Sequence, residues 1–380
     1  MSQATCDKVL IMAGGTGGHV FPALTIAQEL MARGAAVEWL GTRQGIEARV
    51  IGETAIPLHF ISVSGLRGKS LLRKLLAPLV VGLAVCQAMV RIWQIKPACV
   101  LGMGGFVTGP GGVAARLLRK PLLIHEQNAI AGLTNYLLYP MATVVMEGFV
   151  GAFVRKRALT RNKFLKSWVK PGKEIMVGNP VRVQLAEAES VRSDPETRQF
   201  RLLIVGGSLG ATALNAVVPA MLGLFADGKQ PEVLHQCGTR NLDDTLAAYR
   251  QAGLAEQESV SVQPFIEDMA AAYSWADLVI CRSGASTIAE LSAMGCPAIL
   301  IPYAHAVDDH QTENARVMVA CGGAILLPQS SLNAHTLYTV LAEKIQDAGA
   351  LRTMGLAARN LAAPHSASRA ADLCQEVCHG

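Results

Sequence analysis

Short apolar runs punctuate the chain, and each ends in glycine or polar residues. The first is Val9-Leu10-Ile11-Met12-Ala13, followed by Gly14-Gly15-Thr16-Gly17-Gly18-His19. A run of this length bounded by glycines reads as a buried strand. Val20-Phe21-Pro22 then opens a helical pattern, with Pro22 expected in the first turn, where a missing N–H costs nothing. Ala23, Ile26, Ala27 and Leu30 repeat at helical spacing, and Arg33-Gly34 ends the helix. Further strands are expected at Val37–Leu40, Leu58–Ile61, Ala98–Leu101 and Pro121–Ile124. The pattern restarts at Arg201–Val205, again followed by glycines and a helix that begins near Ala213. Strands at Val233–Gln236, Val260–Val262, Asp277–Cys281 and Pro297–Pro302 complete the second half. Strands alternating with helices predict parallel sheets. The fold class is therefore α/β, in two similar domains spanning residues 1–180 and 181–363, with a helical stretch at about 364–380. A polar stretch around Asp194-Pro195-Glu196 reads as the linker between them.

The strand ends carry the chemistry. In an open parallel sheet the ligand crevice lies beyond the C-terminal strand ends. Gly14–His19, Gly102-Met103-Gly104-Gly105-Phe106 and His125-Glu126-Gln127-Asn128 all occupy such ends. A glycine loop before a helix presents bare N–H groups and the positive end of the helix dipole, which suits an anionic or strongly polar ligand. Many such loops bind nothing, so the loop alone leaves both readings open. The dinucleotide fingerprint fails, because Val20 stands where its third glycine belongs. Glu38, spaced like a ribose-binding acid, is then a decoy. His19 adds a group able to move protons near neutral pH.

Two segments break the rhythm. Leu71–Val90 is almost wholly apolar but too short, with Pro78 and Gly82 inside, to be read as a bilayer span. It is either a buried crossover helix or a monotopic patch, with Arg67, Lys69, Arg73 and Lys74 meeting anionic headgroups. Arg155–Lys173 holds eight basic residues and no acid, and reads as a solvated basic loop or a second contact with the membrane surface.

With 380 residues, 51% hydrophobic and 17% charged, the chain can bury two sizeable cores. The net charge of +5 is mild, and no nucleic-acid-binding module appears. Nine scattered cysteines without a Cys-x-x-Cys pair suggest neither a disulfide framework nor a metal site. The early apolar stretch is the first strand rather than a signal segment.

In the second half, Ser208 on its glycine loop offers a hydroxyl to phosphate. Ser283-Gly284-Ala285-Ser286-Thr287 is another small-residue loop at a helix start. Glu290, one turn further on, could accept both hydroxyls of a ribose. Taken alone, Thr287-x-x-Glu290 is better read as a capping box. Taken with Ser208 and Gln311, a nucleotide diphosphate site is the better account.

Together, and in this order, the motifs resemble the MurG family of UDP-N-acetylglucosamine transferases, glycosyltransferase family 28. The resemblance rests on Gly14–Pro22, Ser64–Lys69, Gly102–Phe106, His125–Asn128, Gly178–Arg182, Gly206–Ser208, Cys281–Ala285, His310-Gln311 and Asn314-Ala315. It implies the GT-B fold: two Rossmann-like domains facing a cleft, with the last helix returning to the first domain. It assigns acceptor and membrane contact to the first domain and UDP-N-acetylglucosamine to the second. The implied reaction moves N-acetylglucosamine from the UDP-sugar to the C4 hydroxyl of the muramyl sugar on lipid I (undecaprenyl-diphosphate-MurNAc-pentapeptide). The product is lipid II, with inversion and with no metal or cofactor. The implied setting is the cytoplasmic face of the inner membrane, with an anionic membrane surface and cell-wall and division proteins as candidate partners.

Carried over residue by residue, Thr16, Gly17 and Gly18 line the cleft and Asn128 reaches the donor sugar. Arg182 and Ser208 approach the diphosphate, and Ile266 lies in the loop whose backbone reads uracil. Ala285, Ser286, Thr287, Ile288, Ala289 and Glu290 hold phosphate and ribose, and Gln311 contacts N-acetylglucosamine. His19 is the candidate base. Ser286 departs from the family pattern, which favours an apolar residue there. Rival readings are another lipid-directed glycosyltransferase of this fold, a UDP-sugar epimerase and a silent membrane-surface scaffold.

Overall fold

The structure is a computed structural model that describes residues 8–63, 77–167, 172–186, 198–207, 210–226, 229–254, 257–304, 306 and 309–379. The chain divides into two compact units, residues 1–182 with 363–380, and residues 183–362.

In the first unit the elements run β1 (Lys8–Met12), α1 (Gly17–Ala32), β2 (Ala36–Gly41), α2 (Ile46–Gly52), β3 (Leu58–Phe60), α3 (Ala77–Ile95), β4 (Cys99–Gly102), α4 (Thr108–Leu117), β5 (Leu122–Glu126), α5 (Leu133–Leu138), β6 (Val144–Glu147), α6 (Ala152–Leu159), α7 (Lys163–Lys166) and β7 (Glu174–Met176). Its seven strands are all parallel, in the order β3-β2-β1-β4-β5-β6-β7. The sequence order reverses between β1 and β4, where Val9 lies between Val37 and Cys99. β1 is buried on both faces, as its unbroken apolar run requires. Val9 and Ile11 join one core cluster, and Leu10 and Met12 the other.

The second unit continues with α8 (Val183–Ala186), β8 (Arg201–Val205), α9 (Thr212–Leu222), β9 (Glu232–Gln236), α10 (Leu242–Gln251), β10 (Val260–Gln263), α11 (Met269–Trp275), β11 (Leu278–Cys281), α12 (Ala285–Met294), β12 (Ala298–Leu300), α13 (His310–Ala320), β13 (Ala324–Leu326), α14 (Ala334–Ile345) and α15 (Ala348–Arg359). Its parallel sheet has the order β10-β9-β8-β11-β12-β13, with the reversal between β8 and β11. α16 (Ser366–His379) belongs to the first unit. It buries Ala370, Ala371 and Cys374 in the core beside α1, and Arg33 donates to Ser368 Oγ at 2.7 Å.

Several elements differ from the sequence reading. α1 begins at Gly17, so Pro22 is its sixth residue and not in its first turn. The carbonyl left without that N–H belongs to Gly18, which is exposed to water. α3 extends to Ile95, beyond the apolar run, and residues 64–76 lie outside the described part. α3 is also not a buried crossover helix along its length: Leu79, Leu83 and Trp93 are 67%, 64% and 68% exposed. Arg155–Lys173 is not a plain loop, since the end of α6 and all of α7 lie within it. Residues 168–171 of that stretch, and 187–197 of the expected linker, lie outside the described residues. β6, β7 and β13 were not anticipated.

The core of the second unit holds a neutral imidazole. His235 is fully buried, with Nδ1 at 2.9 Å from Tyr249 Oη and Nε2 at 3.1 Å from Asn215 Oδ1. Burial lowers its pKa from 6.5 to about 3. The unfolded chain therefore binds this proton at a higher pH than the folded one. The stability that His235 contributes is complete above about pH 6.5 and is lost progressively as the pH falls toward about 3. Urea unfolding of the second unit should show this decline, and His235→Gln should flatten it. An unchanged slope in the variant would assign the acid sensitivity to other groups.

Candidate active site

At the switch point of the first unit, two glycine loops meet. Gly14–Thr16 follows β1 and Met103–Val107 follows β4. A Cβ on Gly105 would lie 2.1 Å from the Gly14 carbonyl oxygen, and Gly105 has φ +84°, so only glycine fits. Thr108 ties the loops together, donating from Oγ1 to Met12 O at 3.0 Å and Gly104 O at 2.7 Å. Glu47, fully buried and not singled out from sequence, accepts from Gly15 N at 3.2 Å and Thr42 N at 2.9 Å. It fixes the first loop from behind.

Thr16 is the N-cap of α1, in extended conformation and with no side-chain cap. Thr16 and Gly18 are exposed and Gly17 is half-buried. The N–H groups of Gly17 and Gly18 are thus offered to a polar ligand, while those of His19 and Val20 bond the Thr16 carbonyl. His19 lies in that turn, half-buried, and its ring lies against Gly104, where a Cβ would approach Nδ1 to 3.0 Å. Its Nδ1 is 2.9 Å from Gln127 Oε1.

Gln127 follows β5 and immediately precedes the predicted Asn128, so the structure ties His19 to the loop that carries Asn128. Asn128 is held from its own strand. Glu126, 1% exposed, accepts four N–H groups: Asn128 N at 3.0 Å, Asn128 Nδ2 at 3.1 Å, Gly132 N at 3.0 Å and Asn135 Nδ2 at 2.9 Å. A buried carboxylate needs such partners. Glu147 has a related role, accepting from Gly151 N at 2.7 Å and Phe153 N at 3.1 Å at the start of α6; burial raises its pKa. A cavity of about 1200 Å³ runs from Gly14 and Gly15 past Arg43, Phe60 and Phe106 to Leu83 of α3.

In the second unit, the loops after β8 and β11 flank the other switch point. Gly207 is gripped by Gln236, whose Oε1 accepts from Gly207 N at 3.0 Å and whose Nε2 donates to Gly207 O and Pro264 O, each at 3.1 Å. Gln236 thereby joins the glycine loop to the Pro264–Ile266 segment. Ile266 is 7% exposed, and among the described residues its N–H and C=O have no hydrogen-bond partner, leaving a donor and an acceptor for a ligand. Ser208 lies outside the described residues.

α12 starts at Ala285 with Gly284 as its N-cap and no side-chain cap. Thr287 is therefore the third helical residue, and the capping box with Glu290 does not form. The N–H groups of Ala285, Ser286 and Thr287 have the orientation of an anion site. The Ser286 hydroxyl is buried without a partner among the described residues, as a phosphate acceptor position would leave it. Ile288 is fully buried, whereas Ala289 and Glu290 are partly exposed. Glu290 Oε2 accepts from Tyr273 Oη at 3.0 Å. Burial, and then the Glu290 charge, push the tyrosine pKa well up, so the hydroxyl always donates.

Gln311, near the start of α13, is fixed twice. Ser283 Oγ donates to its carbonyl at 2.8 Å, and its Oε1 accepts from Tyr303 N at 2.8 Å. The side chain thus offers a ligand its NH₂ end. Arg182 is exposed at the boundary between the units. Among the described residues, no three His, Cys, Asp or Glu side chains are arranged to hold a metal ion.

Known proteins match these two sets of loops. The family model described as the glycosyltransferase family 28 N-terminal domain matches residues 9–147, and that of its C-terminal domain matches residues 201–375. A protein of Marinobacter nauticus is 48% identical over 386 aligned residues, covering 100% of both chains. One from Pseudomonas putida is 48% identical, covering 98% of each. Both are named UDP-N-acetylglucosamine–N-acetylmuramyl-(pentapeptide) pyrophosphoryl-undecaprenol N-acetylglucosamine transferase. The crystal structure of Acinetobacter baumannii MurG is 38% identical, with a TM-score of 0.80, covering 97% of this chain and 99% of that one. With two parallel α/β sheets, both family domains in order and full-length relatives at this identity, the chain has the two-domain GT-B fold and belongs to glycosyltransferase family 28, the MurG family.

Proposed function

We propose that this chain transfers N-acetylglucosamine from UDP-N-acetylglucosamine to the C4 hydroxyl of the muramyl sugar of lipid I, forming lipid II with inversion at the anomeric carbon. The observation that carries this reading is the 48% identity over the full chain to proteins named for that donor and acceptor. The geometry of each unit supports a division of labour.

The second unit holds the donor. Ile266 reads uracil through its backbone, Glu290 accepts the ribose hydroxyls, and Ala285–Thr287 meet the phosphates with Ser208. Gln311 and Asn128 are the proposed contacts to N-acetylglucosamine. As the glycosidic bond breaks, negative charge gathers on the leaving diphosphate. The α12 N-terminus and Arg182 lower that barrier electrostatically.

The first unit presents the acceptor. His19 takes the proton of the sugar hydroxyl, which is a poor nucleophile until it is deprotonated. Thr16, Gly17 and Gly18 hold the acceptor through exposed N–H groups. The cavity that runs toward α3 suits a chain that carries both a diphosphate and a lipid.

The apolar face of α3 sets the enzyme on the cytoplasmic face of the inner membrane as a peripheral protein. Leu79, Leu83, Val90 and Trp93 would enter the interface of an anionic bilayer. Changing both Leu79 and Leu83 to Glu should abolish sedimentation with anionic liposomes while leaving UDP affinity unchanged. Undiminished liposome binding would remove α3 as the contact.

Radiolabelled UDP-N-acetylglucosamine with a short-chain lipid I analogue tests the reaction. Labelled disaccharide-lipid is the expected product. Isomerised UDP-sugar without transfer would select an epimerase, and binding without turnover a scaffold.

A further inference from the structure

Behind His19 a chain of hydrogen bonds leads into the core of the first unit. His19 Nδ1 is 2.9 Å from Gln127 Oε1, Gln127 Nε2 is 3.1 Å from His125 Nδ1, and His125 Nε2 is 2.9 Å from the Gly178 carbonyl oxygen. Gln127 and His125 are 1% and 0% exposed, so water is excluded from the bonds on either side of His125.

Donor and acceptor chemistry fixes every proton in this chain, starting from its buried end. A carbonyl oxygen only accepts, so His125 Nε2 must carry a hydrogen. His125 is fully buried, and desolvation lowers its pKa, which keeps the ring neutral. Its Nδ1 is then a lone pair and must receive a hydrogen from the Gln127 amide. That places Gln127 Nε2 toward His125, an orientation fixed a second time by its 3.2 Å bond to the His125 carbonyl. Oε1 must therefore face His19. An amide oxygen cannot donate, so His19 Nδ1 must carry the hydrogen. In neutral His19, Nε2 is left with its lone pair.

We propose that Gln127 and His125 are positioning residues: through the amide of Gln127 they hold His19 in its Nδ1–H tautomer, so that Nε2 is the atom that accepts the acceptor's hydroxyl proton. The inference rests on the reading of His19 as the base. In the step itself, the hydroxyl proton moves to His19 Nε2, the hydroxyl oxygen bonds the anomeric carbon, and the bond to the UDP oxygen breaks with its electron pair. The opposite tautomer would present an N–H to the proton it has to accept. A neutral histidine side chain free in water prefers that opposite form, so the fold has to select against it.

The anchor of the chain is itself held. Asn179 Nδ2 donates to the Gln127 carbonyl at 2.9 Å, and Gly178 N donates to Glu147 O at 3.2 Å. Gly178, at φ +84°, packs where a Cβ would lie 2.1 Å from Ala363 Cβ, at the start of the returning C-terminal segment. The position of the anchoring carbonyl thus depends on the C-terminal segment that docks onto the first unit.

The test is an imidazole ¹⁵N–¹H correlation on the full-length protein labelled at histidine, at about pH 8, where neutral rings dominate. His19→Asn and His125→Asn identify the signals. Wild-type His19 should show a protonated Nδ1 and a bare Nε2. In Gln127→Met, His19 should move toward the Nε2–H form, with kcat reduced about 10- to 100-fold, part of a base's whole contribution, and KM for UDP-N-acetylglucosamine unchanged. Gln127→Glu, which keeps an oxygen facing Nδ1, should restore the Nδ1–H form. A wild-type His19 protonated on Nε2, or an unchanged tautomer in Gln127→Met, would overturn the proposal. An unaffected kcat in His19→Gln, beside the expected tautomer, would remove the base and leave the positioning intact, so the two failures are distinguishable.

Discussion

Changing His19 to Gln is expected to lower kcat by about 10²- to 10⁴-fold, the range of a positioned general base, while UDP binds as before. The separation of the two effects follows from where the residues lie. His19 belongs to the first unit, bonded to Gln127, whereas the proposed UDP contacts at Ile266 and Ala285–Glu290 all lie in the second. Glutamine can still donate toward Gln127 but cannot take a proton near neutral pH. Single-turnover transfer and UDP titration calorimetry on the same preparation check this. Equal losses in both would make His19 a general support for the fold or for donor binding, and not the base.

The second large effect is expected at Glu290. Hydrogen bonds to a charged group contribute about 1.5–3 kcal/mol, so Glu290→Ala should weaken UDP by about 10- to 100-fold. Tyr273 sharpens the expectation. Its hydroxyl, buried and 3.0 Å from Oε2, orients the carboxylate before any ligand arrives. 2′-Deoxy-UDP separates a ribose contact from a structural one. The wild type should discriminate strongly between UDP and its deoxy analogue, and Glu290→Ala should not. Discrimination that survives the substitution would move the ribose contact to another residue.

The sequence revealed most where the physics is local. Strands such as Val9–Met12 and Arg201–Val205 are buried on both faces, so they read as unbroken apolar runs, and the glycines after them mark the ends where backbone approaches ligand. The same local logic misplaced the start of α1. A proline normally favours the first turn, but here the exposed Gly18 carbonyl tolerates the missing N–H, and the helix begins at Gly17, three residues before the expected start at Val20. The Thr287–Glu290 spacing by itself favours a capping box in sequence, and only the start of the helix at Ala285 excludes it.

Long-range polar partners were the least legible. Gln127 reaches His19 across 108 residues, and Glu47 pins Gly15 across 32. No window of sequence contains both members of such a pair. Gln236, the link between Gly207 and Pro264, stood inside an expected strand that ran into a turn, with nothing to mark it as support for a site. The residues proposed to touch substrate were named through the resemblance of their motifs to a known family. The motif His125–Asn128 was visible too, but the aiming role of Gln127 was not, because its partner His19 lies far away in the chain.

The division of labour between the two units is decided by a crystal structure of the full-length enzyme with UDP. The uracil is expected against Ile266, the ribose on Glu290 and the diphosphate at the start of α12. A nucleotide bound instead on Gly14–His19 would overturn the division.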